Sequence, residues 1–196
     1  MSPDGRWVAY TQSGQGLFVV PLDGSAPPRR LTSSGDDSGA CFSRDGATVY
    51  FQTRAPDGRS RVDAVPFTGG PSRTLREGAA GPATTPGADL LAFLAVEGTA
   101  GEGVATVLDL HTGRARPLSS HLGPARGIRL SPDARRAVVI QGSIGAVEVN
   151  VAGGAVVTRY DAGSDQITGV TYLGEEILLS RTLWAGNLWI ADNPFP

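Results

Sequence analysis

The sequence predicts an all-β fold, a β-propeller of four-stranded antiparallel blades. About 4.5 blades are present, so the propeller is partial or open. Three observations predict it. A turn signature, Ser2-Pro3-Asp4-Gly5, returns as Ser43-Arg44-Asp45-Gly46 and in worn form as Thr85-Pro86-Gly87-Ala88. It is clear again as Ser131-Pro132-Asp133-Ala134 and faint at Gly174-Glu175-Glu176. Copies start roughly forty residues apart, which is the length of one blade. A second mark keeps the same step: Leu22-Asp23-Gly24, Thr68-Gly69-Gly70, Thr112-Gly113, Ala152-Gly153-Gly154 and Asp192-Asn193. Finally, no stretch carries a convincing helical period, while β-branched and aromatic residues crowd the apolar runs.

Each element follows from these marks in order. An apolar residue precedes the signature (Phe42, Leu130, Leu173), and an apolar run follows it. Those runs are Trp7-Val8-Ala9-Tyr10, Thr48-Val49-Tyr50-Phe51, Leu90-Leu91-Ala92-Phe93, Ala137-Val138-Val139-Ile140 and Ile177-Leu178-Leu179. In the turn itself Pro presets φ, Asp bonds its own backbone and Gly takes a positive φ. The next strands are Leu17 to Leu22, Arg61 to Phe67, Val104 to Leu110, Ala146 to Val151 and Leu188 to Ala191. Short outer strands close the units at Arg29 to Thr32, Ser72 to Leu75, Ala115 to Leu118 and Val156 to Arg159. The chain therefore reads as a single propeller segment over 1–196, in units of approximately 1–42, 43–84, 85–130, 131–172 and a partial 173–196. Met1 stands where Phe42 and Leu130 stand, so the first blade is expected to lack its inner strand. An N-terminal part of a larger propeller is expected to be missing. Open end blades would then favour self-association.

Composition narrows the function classes. A net charge of −2 and the absence of Lys argue against nucleic-acid binding. All 17 basic residues are Arg, read here as coding bias and solvated strand faces. No apolar run is long enough to span a membrane. The single cysteine, Cys41, falls in an inner strand and reads as a small hydrophobe.

The segments SPDGRWVAYTQ, GLFVVPLDGSAPPRRLT and CFSRDGATVYFQT resemble the TolB-like, WD-like bacterial β-propeller repeat. The likeness covers nearly the whole chain. It is sharp in the first, second and fourth repeats. It weakens in the third, where Gly87-Ala88 replaces Asp-Gly, and in the fifth, where Glu175-Glu176 replaces Pro-Asp. The resemblance implies a non-catalytic protein-binding or scaffold propeller with a protein or peptide partner, in a periplasmic or otherwise extracytoplasmic place. The alternative it implies is the propeller part of a larger prolyl-oligopeptidase-like peptidase or bacterial Ser/Thr kinase, with its catalytic domain outside this chain.

Catalytic motifs are absent from the sequence. There is no Gly-x-Ser-x-Gly elbow and no phosphate loop. His111 and His121 lack the spacing of a zinc site, so no metal, cofactor or catalytic residue is expected. Binding is expected where loops vary, at the end opposite the stereotyped turns. That end gathers Ser34 to Ser38, Arg54 to Arg59, Glu77 to Pro82, Glu97 to Gly103, His121 to Arg126, Asp161 to Asp165 and Trp184 to Asn187. From it we select Asp36, Asp37, Arg54, His121, Asp165 and Trp184 as partner-binding candidates. Asp36-Asp37 reads as a carboxylate rim for a cation or a basic peptide, and an exposed Trp or Arg would anchor a partner.

Overall fold

The computed structural model describes residues 1–96, 102–119, 122–143, 145–163 and 165–182, and the backbone of 189–191. Five antiparallel sheets follow one another along the chain, with no helix among the described residues. Blade 1 holds β1 (Trp7–Gln12), β2 (Gly16–Pro21) and β3 (Arg29–Arg30). Blade 2 holds β4 (Ser38–Phe42), β5 (Thr48–Arg54), β6 (Ser60–Pro66) and β7 (Arg73–Glu77). Blade 3 holds β8 (Ala79–Thr85), β9 (Ala88–Ala95), β10 (Val104–Asp109) and β11 (Ala115–Pro117). Blade 4 holds β12 (Ala125–Leu130), β13 (Arg136–Gln141), β14 (Gly145–Asn150) and β15 (Val156–Asp161). Blade 5 holds β16 (Gln166–Leu173), β17 (Glu176–Thr182) and β18 (Trp189–Ala191). Every sheet is a simple meander, and the sheets do not close into a complete propeller.

The strand period of two explains how the blades stack. Along β5, Val49 and Phe51 enter the core shared with blade 1, beside Leu17, Val19, Phe42 and Val65. Tyr50 points the other way, with Val62 and Ala64, into the core shared with Leu91, Phe93 and Leu108 of blade 3. Along β13, Val139 packs toward blade 3, while Val138 and Ile140 pack toward Ile167 and Val170 of blade 5. A central strand with two buried faces reads as an unbroken apolar run, as the sequence shows.

The signature turn is a closed hydrogen-bond device. In blade 2 the Ser43 hydroxyl donates to Asp45 Oδ1 at 2.6 Å and accepts from the Thr48 N–H at 2.9 Å. Asp45 Oδ1 also accepts from the Ala47 N–H at 3.0 Å. Ser2 and Asp4 repeat the arrangement, as do Ser131 and Asp133. In the fourth copy Ala134 occupies the glycine position at φ 62°, the one left-handed non-glycine among the described residues. The network holds a conformation that costs an L-residue about 1–2 kcal/mol. Ser131 is 1% exposed. Ser131→Ala is expected to cost about 1–3 kcal/mol, because the Arg136 N–H loses its acceptor in a buried turn. Denaturant midpoints of the two chains check this.

The same turns set a pH dependence. The Ser hydroxyls first, then the backbone N–H groups, hold Asp4, Asp45 and Asp133 below the ordinary carboxylate value of 3.8. A depressed folded-state value adds stability above the unfolded value and loses it as pH falls through the folded one. Stability is therefore expected to be flat from neutral pH down to about 4 and to fall below it. Exposure of all three groups keeps each share small. In Ser131→Ala the acid loss is expected to be shallower, as read from denaturation curves at stepped pH.

Two details differ from the sequence expectation. Residues Glu77 to Pro82 were expected as a loop, but β8 starts at Ala79 and only Gly78 separates it from β7. Gly78 sits at φ 62°, which reverses the chain in one residue, and Ala79 pairs at once with Ala95. The worn signature of blade 3 is also not a weakened copy. Thr85 and Ala88 pair across Pro86-Gly87, and the buried Thr85 hydroxyl donates to Ser131 O at 2.7 Å and Pro132 O at 3.0 Å. The turn clasps the next blade instead of bonding itself.

Arginine supplies a second kind of clasp. Arg29 on β3 donates through Nη2 to Phe67 O at 2.5 Å and stacks over the Phe67 ring. Arg116 on β11 donates to Val151 O at 2.5 Å. Each reaches from an outer strand to the backbone of the following blade. For these two residues the reading as solvated faces is corrected.

Candidate functional site

The site is built where blade 1 hands over to blade 2. Strand β3 is only two residues long, so it leaves part of the blade 2 face uncovered. On that face Phe51 and Thr53 of β5 lie beside Arg61 and Asp63 of β6, with Phe51 opposite Asp63 and Thr53 opposite Arg61. The connection from Leu31 to Asp37 forms the other wall. Between them lies a cleft of about 290 Å³ lined by Thr32, Asp37, Thr53, Arg54, Arg61 and Asp63, among others.

Its polar groups are held rigidly. The Thr32 hydroxyl accepts from the Leu17 N–H at 3.0 Å and donates to Asp37 Oδ2. Asp37 is 5% exposed and Asp63 2%. Arg61 Nε lies 3.1 Å from Asp63 Oδ1, but off the N–H direction, so this is an ion contact and not a hydrogen bond. Among the described residues, three buried side-chain polar atoms have no hydrogen-bond partner: Asp37 Oδ1, Arg61 Nε and Asp63 Oδ1. All three residues line this cleft. Buried polar atoms are paired in the great majority of cases, and one left alone costs about 1–3 kcal/mol. Three at one place mark a position prepared for polar contacts from outside.

The sequence candidates divide as follows. Asp37 and Arg54 share the cleft, with Arg54 exposed at its rim and donating through Nη1 to Gly58 O at 3.1 Å. Asp36 is exposed in the neighbouring loop, its N–H on the Ser34 hydroxyl at 3.3 Å, and does not line the cleft. Asp165 stands at another seam, 3.7 Å from Arg181 at the start of blade 5. His121 and Trp184 lie outside the described residues. Sequence reading missed Arg61 and Asp63. Their signal is an ionisable pair two residues apart on β6, in phase with buried Val65 and hence on an inward face.

A second buried carboxylate, Glu148 on β14, is fully engaged. It lies 3.3 Å from Arg136 Nη1 and accepts from the Tyr172 hydroxyl at 3.1 Å. Burial first, then that carboxylate, pushes the Tyr172 hydroxyl well above its ordinary value. Burial likewise pushes the Cys41 thiol up to about 11, which keeps it a poor nucleophile at neutral pH. Among the described residues no cluster of three or more His, Cys, Asp or Glu side chains could hold a metal ion. None of their helices is long and apolar enough to cross a membrane.

Comparison with known proteins places the architecture. No protein-family model and no curated protein matches the chain. Solved structures do. TolB from Acinetobacter baumannii superposes with a TM-score of 0.71 at 17% identity, over 95% of this chain and 49% of that one. Kuenenia stuttgartiensis hydrazine synthase gives 0.68 at 19% identity, over 92% and 54%. The β-propeller domain of the Trilobed protease from Pyrococcus furiosus, described as having an open velcro topology, gives 0.57 at 13%, over 79% and 52%. The chain is thus structurally similar to TolB and to other β-propellers. It spans about half the length of each of these structures. At such identities the likeness defines the fold class and nothing finer.

Proposed function

We propose that this chain is a non-catalytic propeller segment that binds another protein. The observation supporting the reading is the concentration of unpartnered buried polar atoms in one cleft, at the end where the loops vary. The opposite end is spent on stereotyped turns whose polar groups satisfy one another. Asp36 and Arg54 at the rim are the partner-facing charges, with Asp165, His121 and Trp184 as further contacts along the same end. A periplasmic or other extracytoplasmic place belongs to the same reading, on the resemblance to TolB-like repeats. So does self-association through the end blades, which light scattering of the purified chain tests.

The test is capture by the immobilised chain, with the charge reversals Asp36→Arg and Arg54→Glu as the comparison. A partner retained by the wild type and lost by the double variant supports the reading. Equal capture by both chains refutes it. A second reading, the propeller part of a longer peptidase or kinase polypeptide, draws on the likeness to a protease propeller and on the half-length coverage.

A further inference from the structure

The cleft between blades 1 and 2 has a chemistry narrower than "protein-binding". Of its four ionisable residues, Arg61 and Asp63 already face each other at 3.1 Å. Arg54 is exposed and engaged with Gly58 O. That leaves Asp37 as the carboxylate with no ion pair among the described residues, although it is 5% exposed. Its Oδ2 is fixed by the Thr32 hydroxyl, and Thr32 is fixed in turn by the Leu17 N–H. The free Oδ1 therefore cannot swing out to water without breaking a chain of bonds anchored in β2. Asp63 Oδ1 is the second acceptor lacking a donor in the same space.

Two acceptor oxygens and one unmatched negative charge require a cationic donor with several N–H groups. A bare metal ion fits poorly, because the Arg61 guanidinium already stands against Asp63. A volume of about 290 Å³ takes an extended basic side chain and little more. We infer that the cleft seats a lysine or arginine side chain of the bound partner, its ammonium or guanidinium donating to Asp37 Oδ1 and Asp63 Oδ1. This rests on the protein-binding reading above and names the chemistry of its anchor. A basic residue seated in a desolvated pocket and ringed by exposed polar groups is the usual form of an energetic anchor.

The experiment titrates the purified chain with N-acetyl-lysine methylamide and N-acetyl-arginine methylamide, following backbone amide shifts by NMR. Saturable binding in the millimolar range is expected, with shifts centred on Thr32, Asp37, Thr53 and Asp63. Asp37→Asn is expected to weaken it about tenfold, since a hydrogen bond to a charged group is lost. Asp89→Asn, on an exposed carboxylate beside Arg44, is expected to bind as the wild type does. No saturable shift in the cleft, or equal binding by Asp37→Asn, overturns the inference. So does preferential binding of acetate or glycine, or a crystal soaked with the amides that shows ordered water alone in the cleft. Where Asp37→Asn fails to fold, Asp63→Asn carries the same expectation. If the amides do not bind while partner capture still depends on Asp36 and Arg54, this inference falls and the protein-binding reading stands. Equal capture by the double variant removes that reading by itself.

Discussion

Replacing Gly87 with alanine is expected to lower stability by about 3 kcal/mol, more than any other single methyl added at a turn. A Cβ at this position would stand 2.3 Å from Pro132 O and 2.8 Å from Asp133 Cα and C. These are backbone atoms of the next blade's signature turn, and that turn is locked by the Ser131–Asp133 network. Neither side can yield cheaply. Either the Thr85 bonds to Ser131 O and Pro132 O break, or the blade 3–4 seam opens. For a chain of this length the loss corresponds to a fall in Tm of roughly 6–12 °C. Gly153→Ala is the control: nothing lies within 4 Å of its Cβ, so no loss is expected. Equal effects at the two positions would mean that the clasp between the turns does not hold the seam.

The second large effect is expected at Phe93. Its side chain is 0% exposed and fills the seam between blades 2 and 3 with Tyr50, Val62, Leu91 and Leu108. Phe93→Ala is expected to cost about 3–5 kcal/mol, the sum of lost transfer energy and the cavity left behind. Against a total stability of order 5–15 kcal/mol, that is a large share. Leu22, 55% exposed, offers the contrast, and Leu22→Ala is expected to change the midpoint by less than about 0.5 kcal/mol. Urea unfolding of both variants separates seam packing from general hydrophobicity.

The turns and strands were legible because their causes are local. Ser, Asp and the residues after them make bonds two to five positions apart, so the motif carries its own explanation. The alternation of β5 and β13 shows both cores for the same reason. What the sequence could not display depends on contacts between blades. The third signature read as worn because its partner, Ser131-Pro132, lies more than forty positions away. Arg29 and Arg116 read as solvent-facing because their acceptors, Phe67 O and Val151 O, are equally remote. The candidate site shows the same division. The pair Asp36-Asp37 was visible as loop acid, yet only the packing of β3 against blade 2 decides that Asp37 is buried and Asp36 is not. Arg61 and Asp63 hid inside a strand, where a face cannot be assigned inward until its neighbour is known.

One feature of the sheets bears on how such an array grows. The sequence repeat begins at the signature turn, but each sheet begins one strand earlier, with β4, β8, β12 and β16 lying ahead of the turns they share with β5, β9, β13 and β17. The unit that duplication copies is therefore offset from the unit that folds. A newly copied repeat carries the inner strand of the sheet that follows it and takes its own inner strand from the repeat before. No copy can be excised at its sequence boundary without leaving a neighbouring sheet short of a strand. Deletion is disfavoured on structural grounds, and gain or loss must occur in whole steps that rejoin a donor strand to a waiting hairpin.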